Sequence, residues 1–412
     1  MRQLLLSLIM AITSAVALHG ATADSLRVSL ITCYPGPEVY ELCGHEAVRI
    51  RTATTDSVWN YGIFDFNAPH FLYRFTKGET DYMLASYPFS FFLPEYLSRG
   101  SRVVEHELNL TQTEARKLQH ILQTKALPSN RVYRYNYVRD NCSTRIFDNL
   151  DSSASSRIIY PDTIRYGTFR TAMRHYHRNY PWYQFGIDLA LGSDIDKPIG
   201  AREEMFAPVR VPEMVEGAHF ADGRRLVSRV NVLNEGSDAT LGPTPWYLTP
   251  LFWSWVFFTL TACTAIWGWK RRRQAIAFCS AFFFLQGLAG CLLAFLVFIS
   301  VHEATSPNAL IWWLNPLGIV IGALVWIRRA DTVTRVLMAL NSITAGLLLV
   351  AWAFQPQSAN PAFFPLMGAS LLLSASYAIT GRGISYNTRG KGANKPAARR
   401  TAQKRAPSKR KK

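Results

Sequence analysis

The chain is poor in cysteine, which limits both the metal sites and the disulfides that it can form. Its 412 residues include six cysteines, three before Trp246 and three within later apolar runs. Cys33, Cys43 and His45 lack the paired spacing of zinc ligands, so we expect neither a metal centre nor another cofactor. Together with Cys142, the cysteines of the first half permit one disulfide, with one thiol left over. Cys33 and Cys43 are close enough in sequence to pair, which would leave Cys142 free.

Acidic residues are also scarce, and their distribution explains the net charge. The formal charge is +17, from 45 lysines and arginines against 28 aspartates and glutamates. Twelve of the basic residues lie in the tail 381–412, which has no acidic residue. Because most of the excess lies in this tail, we expect no nucleic-acid partner. The expected contact of the tail is anionic membrane lipid on the cytoplasmic face, with RNA or ribosome binding as the alternative.

The N-terminus has the pattern of a signal peptide, which we assign to residues 1–23. Arg2 is positively charged, an apolar run extends from Leu4 to Leu18, and Ala21–Ala23 resembles an A-x-A cleavage site. The apolar run is short for a retained membrane anchor. No cysteine follows the cleavage site, so we do not expect the protein to be a lipoprotein itself. The mature chain is expected to begin outside the cytoplasm.

Residues 24–235 are predicted to form one extracytoplasmic α+β domain. Alternating and β-branched residues predict strands at Leu26–Thr32, His45–Arg51, Ser57–Phe64, Arg102–Leu110 and Val132–Val138, the second and third forming a hairpin. Thr111 to Glu114 is a capping box that opens a helix through about Thr124. Ser143 to Leu150 is predicted to form a further helix. A linker, 236–249, follows this domain.

Residues 250–380 are predicted to form an all-α transmembrane domain of five helices. The apolar segments are Pro250–Trp269, Ala275–Ile299, Ala309–Ile327, Val333–Ala353 and Ala362–Thr380. Each is near the length that crosses a bilayer as a helix. With five spans, the basic clusters Lys270–Arg273 and Arg328–Arg329 and the tail all fall on one side, which should be the cytoplasm. The prediction is an inner-membrane protein with a periplasmic N-terminal domain and a cytoplasmic C-terminus.

Cys142 and His45 are the candidate nucleophile and base. Cys142 stands at a predicted helix start, where free N–H groups and the helix dipole favour a thiolate. His45 begins a strand far upstream, and such a pair can meet in the fold. Asp65, at the end of the partner strand, is expected to orient the imidazole, with Asn60 in reserve.

Asn141 and the main-chain N–H of Cys142 are the candidates for an oxyanion hole. Each assignment has an ordinary alternative. Cys142 would be lost as a nucleophile if it formed a disulfide with Cys33 or Cys43. Independently of that, His45 could be an ordinary core or surface histidine, Asn141 a turn or helix-capping residue, and Asp65 a surface charge at the strand end.

Several runs resemble the periplasmic domain of the Lnb family of lipoprotein acyl-transferring membrane proteins. They are Thr32–Gly36, Tyr40–His45, Asn60–Phe66 and Asp140–Arg145, and the similarity continues through Trp182–Asp196 into the five-span region. The family is counted among circularly permuted papain-like (NlpC/P60-related) folds, in which histidine precedes cysteine, as His45 precedes Cys142. Lecithin:retinol acyltransferase indicates that such folds can move acyl chains. Most relatives have an aromatic or aliphatic residue where Cys43 stands, which puts the disulfide assignment in doubt.

The resemblance implies an intramolecular acyl transfer on diacylglyceryl-modified lipoproteins. Cys142 would attack the sn-2 ester with His45 as base, and the N-terminal cysteine amine of the lipoprotein would take the acyl chain from the thioester. The product would be a lyso-form lipoprotein. His302, Asn308 and Asn315, at the outer mouth of the membrane domain, are candidate substrate contacts, although His302 could equally be a solvated loop residue. Tyr137 and Arg145, which flank Cys142, complete that set.

Three other functions remain open at this point. A cysteine peptidase or amidase acting on cell-wall peptide would suit the wider fold, but a soluble hydrolase needs no five-span domain. A non-catalytic membrane scaffold would not depend on Cys142 or His45. A phospholipid could replace the lipoprotein as acyl donor. The sequence leaves the oligomeric state open.

Overall fold

The computed structural model describes residues 25–237 and 240–383. The predicted signal peptide and nearly all of the basic tail lie outside these ranges. The N-terminal part contains the strands β1 Arg27–Cys33, β2 His45–Arg51, β3 Asp56–Ile63, β4 Asp81–Pro88, β5 Val103–Leu108, β6 Val132–Arg134, β7 Ile158–Ile159, β8 His219–Phe220 and β9 Val227–Asn234. Its helices are α1 Phe71–Lys77, α2 Phe89–Ser98, α3 Gln112–Lys125, α4 Cys142–Ser153, α5 Phe169–Tyr176, α6 Pro181–Ala190, α7 Ala201–Glu204 and α8 Val211–Glu216.

Seven of these strands form one antiparallel sheet in the order β6-β4-β3-β2-β1-β5-β9. β1 and β2 lie near its centre and pair from Arg27 opposite Arg51 to Cys33 opposite His45. Both strands are buried along almost their whole length, because each face of the sheet is covered. The first residue of β2 therefore lies well inside the domain.

The two faces of the sheet carry different helices. On one face, α3 and α4 cover β1 to β4, and the fully buried Phe147 and Leu150 of α4 pack there. On the other face, Phe92 and Tyr96 of α2 pack against alternate residues of the same strands. Burial of side chains of this size stabilises the fold by about 1.5–3 kcal/mol each. The period-two alternation of the strands thus decides which residues meet α4.

Most predicted elements of this domain are confirmed. The hairpin forms as β2 and β3, and the capping box at Thr111 and Glu114 opens α3. The predicted strand from Val132 is shorter than expected, because β6 ends at Arg134. The side-chain oxygen of Asn136 accepts hydrogen bonds from the main-chain N–H groups of Val138 and Arg139, and the chain turns there.

The C-terminal part is helical, as expected. Its helices are α9 Pro250–Arg271, α10 Ile276–Phe298, α11 Leu317–Leu324, α12 Asp331–Ala351 and α13 Phe363–Thr380. Four helical segments of the described residues are long and apolar enough to cross a membrane, and they contain α9, α10, α12 and α13. The segment predicted as the third span is instead a short apolar helical stretch, Ala309–Leu324. A count of five spans therefore stays a prediction.

Two glycines of α10 allow this interrupted segment to pack closely. A Cβ atom at Gly290 would lie 2.3 Å from the carbonyl carbon of Asn315, and one at Gly287 would lie 2.2 Å from the nitrogen of Ile319. The side chain of Asn315 accepts a hydrogen bond from the N–H of Leu317. Asn315 therefore caps the start of α11, directly against the backbone of α10.

A closed set of hydrogen bonds ties three apolar helices together. Gln286 of α10 donates to Asn341 of α12 at 3.0 Å, Asn341 donates to Ser370 of α13 at 3.0 Å, and Ser370 donates back to Gln286 at 2.8 Å. All three side chains are buried. Hydrogen bonds between polar side chains are one of the forces that associate helices in lipid.

The two parts of the chain are joined by hydrogen bonds to a buried ion pair of the N-terminal domain. Asp188 of α6 lies 2.8 Å from the guanidinium of Arg170 and 3.1 Å from that of Arg174. It also accepts a hydrogen bond from Asn360, in the loop between α12 and α13. Arg174 donates to Ser358 in the same loop. The N-terminal domain is thereby held against the ends of these helices.

Candidate active site

Cys142 is the first residue of α4 and is almost fully buried. Main-chain N–H groups of Glu46 and Ser143 and the hydroxyl of Tyr135 are directed at its sulfur and lower its pKa. Burial has the larger effect, and the pKa of the thiol is raised above its ordinary value. The expectation that the helix start favours a thiolate is therefore wrong for the resting protein, because desolvation outweighs the N–H groups.

Asn141 is the N-cap of α4 and its side chain is fully used in that role. Its oxygen accepts from the N–H groups of Ser143 and Thr144 at 2.9 and 3.0 Å. Its amide nitrogen donates to the main-chain oxygens of Tyr137 and Phe206, both at 2.8 Å. The side chain has no donor left for a substrate, so its assignment to an oxyanion hole is corrected. The capping alternative is the one that the structure has.

His45 begins β2, and its ring is held on two sides. The Nε2 atom lies 3.1 Å from Oδ1 of Asn60 in β3, and the ring stacks on Tyr96 with centroids 6.5 Å apart. An amide oxygen only accepts, so Nε2 carries the proton and Nδ1 is left as the acceptor. Burial lowers the pKa of the imidazole below its ordinary value. At neutral pH the ring is therefore uncharged, which is the form of a general base.

Asp65 does not contact His45, and its expected orienting role is corrected. Its carboxylate is exposed and accepts a hydrogen bond from the N–H of Asn67. The register of the hairpin explains this, because Val48 pairs with Trp59. Continuing that register places Asp65 beyond the start of β2, and Asn60 takes the position beside the imidazole.

The structure brings His45 and Cys142 to the same end of β2. The N–H that faces the sulfur belongs to Glu46, the residue after His45. Gly62 of β3 also lies beside Cys142: a Cβ atom added to Gly62 would be 3.8 Å from the Cβ of Cys142. Within the described residues, no hydrogen bond joins the imidazole to the sulfur. The observed contacts of the imidazole are those with Asn60 and with Tyr96 of α2.

Glu46 is a site residue that the sequence reasoning missed. It is fully buried, with one carboxyl oxygen 2.8 Å from the hydroxyl of Thr32 and the other without a partner among the described residues. Burial raises the pKa of this carboxyl well above its usual range, and a thiolate on Cys142 would act in the same direction. Glu46 is therefore a neutral acid beside the thiol. An acidic residue at an inward position of an apolar strand was the signal that could have found it.

Tyr137 lies in a second polar chain, behind the nucleophile candidate. Its hydroxyl is 3.3 Å from the sulfur of Cys43 and 3.4 Å from Nε2 of His177. His177 in turn lies 2.8 Å from the side chain of Gln184. Burial raises the pKa of Cys43 to about 12 and lowers that of His177 to about 4. Both groups are therefore neutral near pH 7.

The cysteines of the N-terminal domain, Cys33, Cys43 and Cys142, are all free thiols. None of the three pairings considered from the sequence, including Cys33 with Cys43, is formed, and the nucleophile candidate keeps its thiol. Arg145 is engaged elsewhere: it forms an ion pair with Asp140 and lies over the ring of Tyr133 at 3.6 Å. Its guanidinium is thus used within the fold.

The three membrane-side candidates have different surroundings. Asn308 donates to the main-chain oxygen of Leu189, at the junction with α6, and Asn315 caps α11. Both amides are thus used within the fold. His302 lies closer to the candidate site, with Nε2 2.8 Å from the main-chain oxygen of Phe75. It lines a cavity of about 120 Å³ together with Tyr135 and Tyr137.

No metal site is evident in the part of the chain that the structure describes. Residues 25–237 and 240–383 contain no group of three or more histidine, cysteine, aspartate or glutamate side chains placed to hold an ion. The side chains that the structure gathers around the site are the thiol of Cys142, the imidazole of His45, the amide of Asn60 and the carboxyl of Glu46.

Comparison with known families agrees with this layout. Residues 14–174 match the family described as the Lnb N-terminal periplasmic domain, and residues 243–382 match the Lnb transmembrane domain. The chain belongs to the Lnb family. No curated protein and no solved structure matches it.

Membership confirms the resemblance on which the function was first inferred. This Lnb protein is an inner-membrane protein whose periplasmic N-terminal α+β domain precedes a helical membrane region. Its role is related to lipoprotein N-acylation, as an enzyme of lipoprotein maturation. The order of histidine strand and cysteine helix is the order expected for the family.

Proposed function

We propose that this Lnb protein is a lipoprotein intramolecular transacylase that works through a thioester on Cys142. The observation that carries the proposal is that the sulfur of Cys142, at the start of α4, faces the main-chain N–H of Glu46, the residue after His45, while Asn60 holds the His45 imidazole. The proposed donor is the sn-2 ester of a diacylglyceryl-modified lipoprotein. The proposed acceptor is the α-amine of the lipoprotein's own N-terminal cysteine.

The first half-reaction forms the thioester. His45 Nδ1 takes the proton of the Cys142 thiol as the sulfur attacks the ester carbonyl carbon. The carbon–sulfur bond forms, the ester carbon–oxygen bond breaks, and the leaving glyceryl oxygen receives the proton from His45. The N–H of Glu46 and the start of α4 supply donors for the negative oxygen that develops. Asn60 keeps the imidazole in the tautomer that this step needs.

The second half-reaction releases the enzyme. The lipoprotein amine attacks the thioester carbon, loses a proton to His45, and forms the amide. The sulfur leaves and recovers that proton, so the thiol is restored. Deep burial of Cys142 supports this route, because a thioester that must wait for an amine has to be kept from water.

Mass spectrometry of a reporter lipoprotein tests the proposal. The protein is expressed in a cell that lacks its own N-acylation enzyme, and the N-terminal lipopeptide is analysed for wild type, Cys142→Ala and Cys43→Ala. A lyso-form lipopeptide with wild type and Cys43→Ala, but not with Cys142→Ala, is expected. An unchanged diacyl form with all three, at confirmed expression, would contradict the proposal and favour the cell-wall amidase. Isotope-labelled phospholipid distinguishes a phospholipid donor from the lipoprotein's own sn-2 chain.

A further inference from the structure

The helix α1 presents an apolar surface that the periplasmic domain does not cover. Leu72 is 75% exposed, Tyr73 55% and Phe75 47%, and Phe66 just before the helix is 60% exposed. None of the seven residues of α1 is buried. Contiguous exposed apolar side chains of this kind mark a membrane or partner contact, because water does not favour them.

The position of α1 identifies what covers this surface. Its last residue, Lys77, accepts a main-chain hydrogen bond from Val301 at 2.9 Å and another from the side chain of Ser300. The ring of Tyr73 lies 6.2 Å from that of Phe295 in α10. These contacts fix α1 at the outer end of a helix long and apolar enough to cross the membrane. The exposed side chains therefore lie beside the end of this apolar helix.

A small cavity begins where this surface ends. Its walls are Phe75, Gly78, Thr80 and Tyr82 beside α1, and Tyr135, Tyr137 and His302 further in. Tyr135 stacks on Tyr82 with centroids 4.4 Å apart, and its hydroxyl is directed at the sulfur of Cys142. The cavity therefore leads from the membrane side towards the nucleophile candidate.

The volume of this cavity decides what it can hold. At about 120 Å³ it is somewhat smaller than the ~150 Å³ cavities that admit benzene. An ester group with its first few carbons fits such a space, whereas a complete fatty acyl chain does not. The remainder of the chain needs an apolar environment outside the cavity, and the surface formed by Leu72 and Phe75 is adjacent.

We propose that α1, together with Phe66, lies in the outer leaflet as an in-plane helix and admits the ester of a lipid substrate to the cavity beside Tyr135. The partner of this surface is the acyl chains of membrane lipid. The inference rests on the proposed function only for the identity of the substrate. The seating of α1 in lipid stands on the exposed surface and its attachment to α10.

Photo-crosslinking of the full-length protein tests the membrane contact without using activity. A benzophenone amino acid replaces Leu72, and in a control protein it replaces Leu127, which is 51% exposed on the turn after α3. Both proteins are reconstituted in vesicles of phosphatidylethanolamine and phosphatidylglycerol. We expect at least tenfold more lipid adduct at position 72. Equal lipid labelling at the two positions, or protein adducts alone at position 72, would overturn the inference.

Charged substitutions test the admission of substrate. Leu72→Asp and Phe75→Asp are expected to lower lipoprotein conversion in vesicles at least tenfold, whereas Leu127→Asp leaves it unchanged. Alkylation of Cys142 by a water-soluble maleimide in detergent should proceed at the wild-type rate in Leu72→Asp and in Phe75→Asp. This rate shows that the domain is folded in both variants. Unchanged conversion would contradict the role of α1. Lipid adducts at position 72 without any conversion by wild type would instead contradict the proposed function and leave the membrane contact intact.

Discussion

Nε2 of His45 lies 3.1 Å from Oδ1 of Asn60, and this contact fixes which nitrogen of the imidazole is free. With Nε2 protonated, Nδ1 carries the lone pair that can accept the proton of a thiol. The ring also stacks on Tyr96, so both its tautomer and its plane are set by the fold. In the proposed mechanism, His45 and Asn60 are the second and third members of a cysteine–histidine–amide arrangement.

Asn60→Ala is expected to lower acyl transfer on the order of tenfold, which is the effect of removing one orienting hydrogen bond. His45→Ala removes the base itself and should lower the rate by roughly 10²–10⁴-fold. The measurement is the rate of lyso-form product in vesicles. Asp65→Ala is the matched control and should stay within twofold of wild type, because Asp65 contacts Asn67 and not His45. A larger loss with Asp65→Ala than with Asn60→Ala would contradict this assignment.

The pH dependence of the reaction follows from two shifts in pKa. Burial lowers the pKa of His45, so the neutral base persists below the ordinary value of about 6.5. Burial raises the pKa of Cys142, so no thiolate forms around neutral pH. The rate should therefore rise through an inflection below about pH 6.5 and then stay level through neutrality.

Alkylation of Cys142 tests separately whether the pKa of its thiol is raised. Its rate in the unliganded protein should keep rising above about pH 8.5, the ordinary value for a thiol. An alkylation rate that levels off below pH 7 would mean a preformed thiolate and would contradict the account.

Glu46→Gln should change the dependence of stability on pH more than it changes activity. Because the pKa of Glu46 is raised in the folded protein, the folded state holds a proton that the unfolded state has lost above about pH 4.3. The free energy of unfolding contributed by this group therefore falls as pH rises from there towards the raised pKa. Glutamine keeps the acceptor for Thr32 without titrating, so this fall should disappear. Thermal unfolding of the wild type and of Glu46→Gln in detergent at several pH values measures this fall. If stability changes with pH equally in the two proteins, Glu46 is not a neutral acid in the fold.

Gly290→Ala should destabilise the membrane region by about 1–3 kcal/mol, as overpacking does in a tight core. The new methyl group would lie 2.3 Å from the backbone of Asn315, which cannot move without displacing α11. Gly346→Ala is the control, because its nearest neighbour, a side-chain atom of Leu371, is at an ordinary 3.5 Å. The melting temperature in detergent distinguishes the two variants. An equal drop for Gly290→Ala and Gly346→Ala would contradict the close packing of α10 against α11.

The elements with local signals could be predicted from the sequence. The hairpin of β2 and β3, the capping box at Thr111 and the helix that begins at Cys142 all depend on residues close together in the chain. Membership of the family was also visible in short runs around His45 and Cys142. For these features, propensity and tertiary structure agree.

The remaining features depend on tertiary structure and could not be predicted in this way. The pKa of Cys142 is set by burial under the sheet, which a helix-start argument does not contain. The choice of Asn60 over Asp65 depends on where β3 passes the start of β2. The third apolar segment is continuous in composition, yet Asn315 and Pro316 divide it into two short helical pieces.

The central claim is that Cys142 carries the acyl chain, and the most direct measurement is the mass of its peptide during turnover. The purified protein is mixed with a diacylated lipoprotein, quenched in acid and digested. We predict a fatty acyl mass on the Cys142 peptide that neutral hydroxylamine removes, with none on the Cys43 peptide and none with His45→Ala. Formation of lyso-form lipoprotein while the Cys142 peptide stays unmodified would contradict the account. Formation of the same product by Cys142→Ala would contradict it as well.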